Sequence, residues 1–134
     1  MTAAHYAAVK ALLADLPFTL YEGQVPDTPS FPYAVLFMDT GRGSDSRLSG
    51  RTARSVYDFQ VNSVGLTDAS ARLVSDAVRA RVLDARPSVT GFRCGLIDKV
   101  TSIPVRADKD ITDPATGLHP MFAADSFSFE SVPE

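Results

Sequence analysis

The chain of 134 residues has no tryptophan, one cysteine and two histidines. A lone thiol, Cys94, excludes an intrachain disulfide. With only His5 and His119 beside it, a zinc site lacks its usual nitrogen and sulfur ligands. No apolar run is long enough to span a membrane. The N-terminal MTAAHYAAVKALLADL has no basic leader and no signal-type apolar stretch, so a soluble protein made in a reducing cytosol is expected. Catalytic signatures are missing as well: there is no GxSxG elbow, no phosphate loop ending in Lys-Ser/Thr, no HExxH and no paired cysteines. Gly41-Arg42-Gly43 is not a dinucleotide fingerprint, which needs its glycines between a strand and a helix; a strand follows here. A formal net charge of −3 argues against a nucleic-acid surface over the whole chain and leaves room for a local basic patch.

What is present is a well-patterned core. Tyr57, Phe59 and Val61 alternate with Asp58, Gln60 and Asn62, the period of a half-buried strand. After Gly65 the period changes. Leu66, Ala69, Leu73, Val74, Ala77, Val78 and Val82 share one side of a helix ending near Leu83, and Asp68, Arg72, Ser75, Asp76 and Arg79 hold the other. An earlier helix is expected over Thr2 to Leu16, with Tyr6, Val9, Leu13 and Leu16 on one face and Pro17 as its stop. A short strand, Phe18 to Glu22, precedes the loop GQVPDTPSFP. Tyr33 to Asp39 is apolar on both faces, as in a central strand or one covered on both sides; a neighbouring subunit is one source of that cover. Phe92 to Arg106 reads as one extended strand, bent at Gly95 and edge-like at Pro104. Met121 to Ser131 closes the fold, and the tail VPE is expected to fray. The order helix, strand, strand, strand, helix, strand, strand predicts one domain over 1–134 of the α+β class. Its sheet should have about five strands, mostly antiparallel or mixed, with both helices on one face.

Three features stand out as candidate sites. The first is the polar stretch Thr40 to Arg54, which carries Arg42, Arg47, Arg51 and Arg54 against one acid, Asp45. It is either a solvated hairpin tip or a contact for an acidic surface or phosphates. No aromatics interleave, which disfavours single-stranded nucleic acid. The second is the acidic loop Ala107 to Pro120, with Asp108, Asp110, Asp113 and His119. A general base or metal site is the sharp reading; a solvated loop is the plain one, because calcium loops space their oxygen ligands more tightly. The third is Arg81, whose angle falls inside the apolar arc of its helix. It either snorkels to the rim or pairs with an acid across a subunit boundary. Cys94 reads as a small buried hydrophobe, and His5 as a surface or subunit-contact residue.

The element order and several segments resemble the tail terminator (tail completion) proteins of long-tailed bacteriophages. The segments are the first helix, LYEGQVPDTPSFPYAVLFM, VYDFQVNSVGLTDASARLVSDAVRARVL and DSFSFE, with Phe31-Pro32 leading into the hydrophobic strand. These are packing patterns spread over nearly the whole chain. The resemblance implies a structural virion protein with no catalytic residues, no metal and no cofactor, assembled in the host cytoplasm. It implies a ring of copies, typically a hexamer, at the head-proximal end of the tail. Such a ring terminates the tail tube, meets the tail tube protein and the head–tail connector protein, and encloses a lumen that DNA traverses. No membrane partner is implied. On this reading Arg42, Arg47, Arg51, Arg54, Arg81, Asp108, Asp110 and Asp113 are partner-interface residues. Two rivals share the pattern: another head–tail connector or minor tail protein of similar fold, and a small binding module that uses the acidic loop.

Overall fold

The computed structural model describes residues 2–43 and 54–134. Within them the elements run α1 (Thr2–Leu12), β1 (Thr19–Glu22), β2 (Tyr33–Met38), β3 (Arg42–Gly43), β4 (Ser55–Gly65), α2 (Asp68–Val82), β5 (Phe92–Cys94), β6 (Asp98–Ala107) and β7 (Met121–Pro133). The strands form one seven-stranded sheet in the order β1-β2-β4-β7-β5, with β3 also on β4 and β6 also on β7. Only β1 and β2 pair in parallel, so the sheet is mixed and the fold is α+β. The five expected strands are all there. The other two arise because Arg42–Gly43 adds a short rung to β4 and because the Phe92 to Arg106 strand is interrupted.

The alternation of β4 sets the two sides of the sheet. Tyr57, Phe59 and Val61 are buried against the helices and lie beside Phe129, Phe127 and Asp125 of β7. The Phe59 and Phe127 rings stack with centroids 5.2 Å apart. Each such buried aromatic contributes about 1.5–3 kcal/mol by leaving water. Ala34 and Leu36 of β2 join this core; Tyr33 and Val35 face the other way. Thus β2 is covered on both sides, but by its own chain: Tyr21, Phe31 and Phe122 pack over Tyr33, Val35 and Val64. Phe37, at the far end of the same row, stays 41% exposed.

α2 starts where Gly65 ends β4. Thr67 caps it, accepting the Ser70 N–H at 3.1 Å, while the Ser70 hydroxyl accepts the Thr67 N–H at 3.2 Å; such a cap is worth about 1 kcal/mol. Its buried face is Ala71, Val74, Ser75, Val78 and Val82. That face is rotated from the expected arc: Leu73 points to solvent, 68% exposed, and Ser75 is buried. The cause is a polar partner distant in sequence. Asp125 of β7 is 1% exposed and accepts from Ser75 Oγ at 2.8 Å and from the Arg79 guanidinium at 2.9 Å. This ion pair fixes the roll of the helix on the sheet.

Four further expectations need correction. α1 ends at Leu12, not Leu16; the chain leaves it through Leu13 N–H to Lys10 carbonyl and Ala14 N–H to Ala11 carbonyl bonds, the tighter pattern of a closing turn. His5 is not on the surface. It is fully buried, stacked on Tyr57 at 4.3 Å and bonded through Nε2 to Ser131 Oγ at 2.7 Å. The Phe92 to Arg106 strand breaks at Gly95, because Ile97 turns into the core and its N–H bonds the Ala85 carbonyl. The tail does not fray through Pro133: Val132 and Pro133 pair with Arg93 and Phe92.

Candidate partner interface

The base of the arginine stretch is built by the β3–β4 pairing. Asp39 Oδ1 accepts the N–H groups of Gly41 and Asp58, each at 3.1 Å, which fixes the turn into β3. Gly41 has φ +84°, and a Cβ there would lie 2.7 Å from the Tyr57 ring, so the position admits only glycine. Arg42 then pairs with Asp58 on the outer face of the sheet, away from the helices. Arg54 approaches Glu130 on the same face, Nε to Oε2 3.6 Å. Both pairs are half-exposed and so contribute little to stability; they anchor the two feet of the stretch. Arg47 and Arg51 lie outside the described residues.

The acidic residues serve turns. Asp108 Oδ1 accepts the Asp110 N–H at 3.2 Å, and Asp113 Oδ2 accepts from Thr116 N–H at 3.1 Å and Thr116 Oγ1 at 2.7 Å. His119 staples the loop: its Nδ1 lies 2.7 Å from the Ile111 carbonyl, donating to it. Among the described residues, no group of three His, Cys, Asp or Glu is placed to hold a metal ion. Asp110 stays exposed. The carboxylates thus shape the loop and leave a negative rim on it.

That rim borders a groove. The proline-rich loop before β2 and the acidic loop before β7 enclose about 550 Å³ on the outer face, lined by Val25, Pro29, Phe31, Ile111 and Pro114, with Asp27 and Asp113 at its edge. A recess of about 210 Å³ continues it toward Phe37 and Asp108. Val25 and Ile111 had no place among the sequence candidates. An isoleucine between aspartates, in D-I-T-D-P, was the available signal, since an apolar residue in a polar loop usually has something to cover.

The candidates therefore fall into three places. Arg42 and Arg54 stand at the Ser55 end of β4, whereas Asp108, Asp110 and Asp113 stand near its Gly65 end. Arg81 is on the helix layer, where its guanidinium donates to the Asp15 carbonyl at 3.2 Å and lies 3.9 Å from the Asp15 carboxylate. Cys94 is buried; desolvation pushes its thiol up, and its Sγ lies 3.8 Å from Ser131 Oγ.

The comparisons with known proteins agree with this architecture. The family model described as Tail completion protein gp17 matches residues 3–122. A chain in the solved structure titled "Virion of native gene transfer agent (GTA) particle" is 15% identical, with a TM-score of 0.57 over 100% of this chain and 95% of that one. A second solved chain is 19% identical, with a TM-score of 0.61 over 100% of this chain and 99% of that one. At such identities the likeness is one of fold. No curated protein matches the chain.

Proposed function

The chain belongs to the tail completion protein gp17 family, structural proteins of the phage tail, and from that premise we propose that it forms a ring at the head-proximal end of the tail. The ring terminates polymerisation of the tail tube and joins the tail to the head connector. Its partners are further copies of itself, typically six, with the tail tube protein on one side and the connector protein on the other; DNA passes through the lumen. Residues 1–134 act as one domain, and the role is structural, with no catalysis.

The observation that carries this reading is the family match over residues 3–122, which takes in both helices and the strands β1 to β6 and reaches the start of β7. The surface is consistent with it. Positive and negative loops stand at opposite ends of β4, so two copies meet with complementary charge when they pack head to tail. Contacts of that kind are heterologous, and they generate closed rings when the rotation between copies closes. Arg42, Arg47, Arg51, Arg54, Arg81, Asp108, Asp110 and Asp113 belong to the contact surfaces in this reading.

Electron microscopy of assembled tails, with light scattering of the purified protein, tests it. A ring-shaped density at the head-proximal end and an oligomer in solution are expected, together with overlong tails when the protein is withheld. Monomers in solution and no density at that end would refute it. Replacing the four arginines by alanine should leave folding intact and weaken assembly most at low salt, the gap from wild type narrowing as salt screens the charges.

A further inference from the structure

The groove on the outer face is held open by its own walls. Tyr33 and Phe31 line it and belong to the small apolar cluster with Tyr21, Val35, Val64 and Phe122. The proline-rich loop is tied down by the Ser30 N–H, which donates to the Tyr21 hydroxyl at 3.3 Å. The acidic loop is braced by the Asp108 N–H on the Pro120 carbonyl and the Asp113 N–H on the Leu118 carbonyl, each at 2.8 Å. Val25 and Ile111, one on each loop, stay 38% and 53% exposed. Apolar side chains kept in water by braced loops mark a binding surface. A site that is already formed also spares a ligand the cost of ordering it.

The groove is longer than its deepest part. Val25, Tyr33, Ile111 and Pro120 line both the recess of about 550 Å³ and that of about 210 Å³, so the two are continuous and run to Phe37, itself 41% exposed. Asp27 and Asp113 stand at the first and Asp108 at the second. Among the described residues no lysine, arginine or histidine lines either. Arg106 lies over the ring of Phe122, a wall of the second recess, its guanidinium carbon 5.4 Å from the ring centroid. Three carboxylates against that cation leave the groove negative, so it repels phosphates and attracts cations. A small cation would satisfy one end only. Successive side chains of an extended peptide point to opposite sides. A peptide alternating apolar and basic residues therefore lays its apolar row along Val25, Ile111 and Phe37 and turns its basic row to the carboxylates of the rim.

We infer that the groove binds an extended basic–apolar segment of a different protein. Apolar burial holds the segment; the carboxylates steer its approach and reject acidic competitors. All the lining residues come from one copy, so binding needs no ring, and the inference goes beyond the assembly proposed above.

Fluorescence anisotropy of the full-length protein with a labelled peptide of alternating leucine and arginine tests this. A leucine–glutamate peptide and a serine–arginine peptide are the controls. Saturable binding of the leucine–arginine peptide is expected, at least several-fold tighter than of either control. Asp27→Lys should weaken it several-fold and strengthen binding of the leucine–glutamate peptide. Ile111→Ser should weaken it several-fold as well. Both positions are exposed, and circular dichroism checks that the variants fold. A serine–arginine peptide that binds as tightly overturns the inference, because charge alone then accounts for the attraction. Unchanged affinity in both variants overturns it by placing the peptide elsewhere. Absence of saturable binding overturns it too; if Ile111→Ser then shifts the oligomer in light scattering, the occupant is a second copy. Specific binding by a protein that forms no ring on tails upholds the groove and refutes the ring.

Discussion

The Arg79–Asp125 pair offers an asymmetric test of the packing between α2 and the sheet. Asp125 is 1% exposed, while the Arg79 side chain is 35% exposed. Removing Arg79 strands a carboxylate that, among the described residues, retains only the Ser75 hydroxyl; a buried charge left without its partner costs about 3–5 kcal/mol. Removing Asp125 has a different consequence. The guanidinium swings into water, and the loss reduces to a charge-assisted hydrogen bond and an unpaired Ser75 hydroxyl, about 1.5–3 kcal/mol. Arg79→Ala should therefore destabilise more than Asp125→Ala, and the double variant should cost less than the sum of the two. Urea unfolding followed by far-ultraviolet circular dichroism, at one fixed protein concentration because assembly adds to apparent stability, gives all three values. If Asp125→Ala costs as much as Arg79→Ala, the pair is not a buried-acid device and the roll of α2 is set by its apolar face alone.

Two further outcomes follow from local geometry. Gly65→Ala should destabilise by about 1–3 kcal/mol, because a Cβ there would lie 2.1 Å from Ser70 Oγ and 2.8 Å from the Ala71 nitrogen, inside the cap of α2; a thermal melt indistinguishable from wild type would show that the turn yields freely. The Tyr6 phenol is pushed up to about 12, by burial first and then by its hydrogen bond to Glu22. A phenol raised in the folded state contributes stability that is complete below about pH 10 and lost as pH climbs towards 12. Tyr6→Phe should make stability fall less steeply across that window, leaving a residual slope since burial also pushes up Tyr33 and Tyr57; an unchanged slope would refute the assignment.

Local periodicity made most of the fold legible. The β4 alternation, the two-sided apolar β2 and the switch to helix after Gly65 depend on neighbours within a few residues, which a sequence displays. What escaped depends on partners far away in the chain. His5 reads as a surface residue until Ser131, 126 positions on, supplies its hydrogen bond. Ser75 and Arg79 read as a solvated face until Asp125 turns that face inward. Nothing about Leu13 to Leu16 betrays the early end of α1, which follows from where β1 has to start. The candidate interface was half legible: charge runs marked both loops, but only the fold shows that the acidic loop meets the proline-rich loop and lies a sheet-length from Arg42 and Arg54.

The place of β7 bears on how the chain reaches this state during synthesis. β7 pairs with β4 on one side and with β5 and β6 on the other, yet it emerges from the ribosome after the other six strands. Until it arrives, one long edge of β4 is open, β5 and β6 have no ladder, and His5 has no Ser131 to bond. A nascent chain in that condition displays the kind of edge that captures other strands. Folding here is gated by the last strand, and a high share of distant pairings makes that closure slow relative to helical proteins of equal size. In a host cell translating many copies at once, the interval before β7 docks is when this protein is most exposed to misassembly, and it is the interval in which chaperones would have most to do.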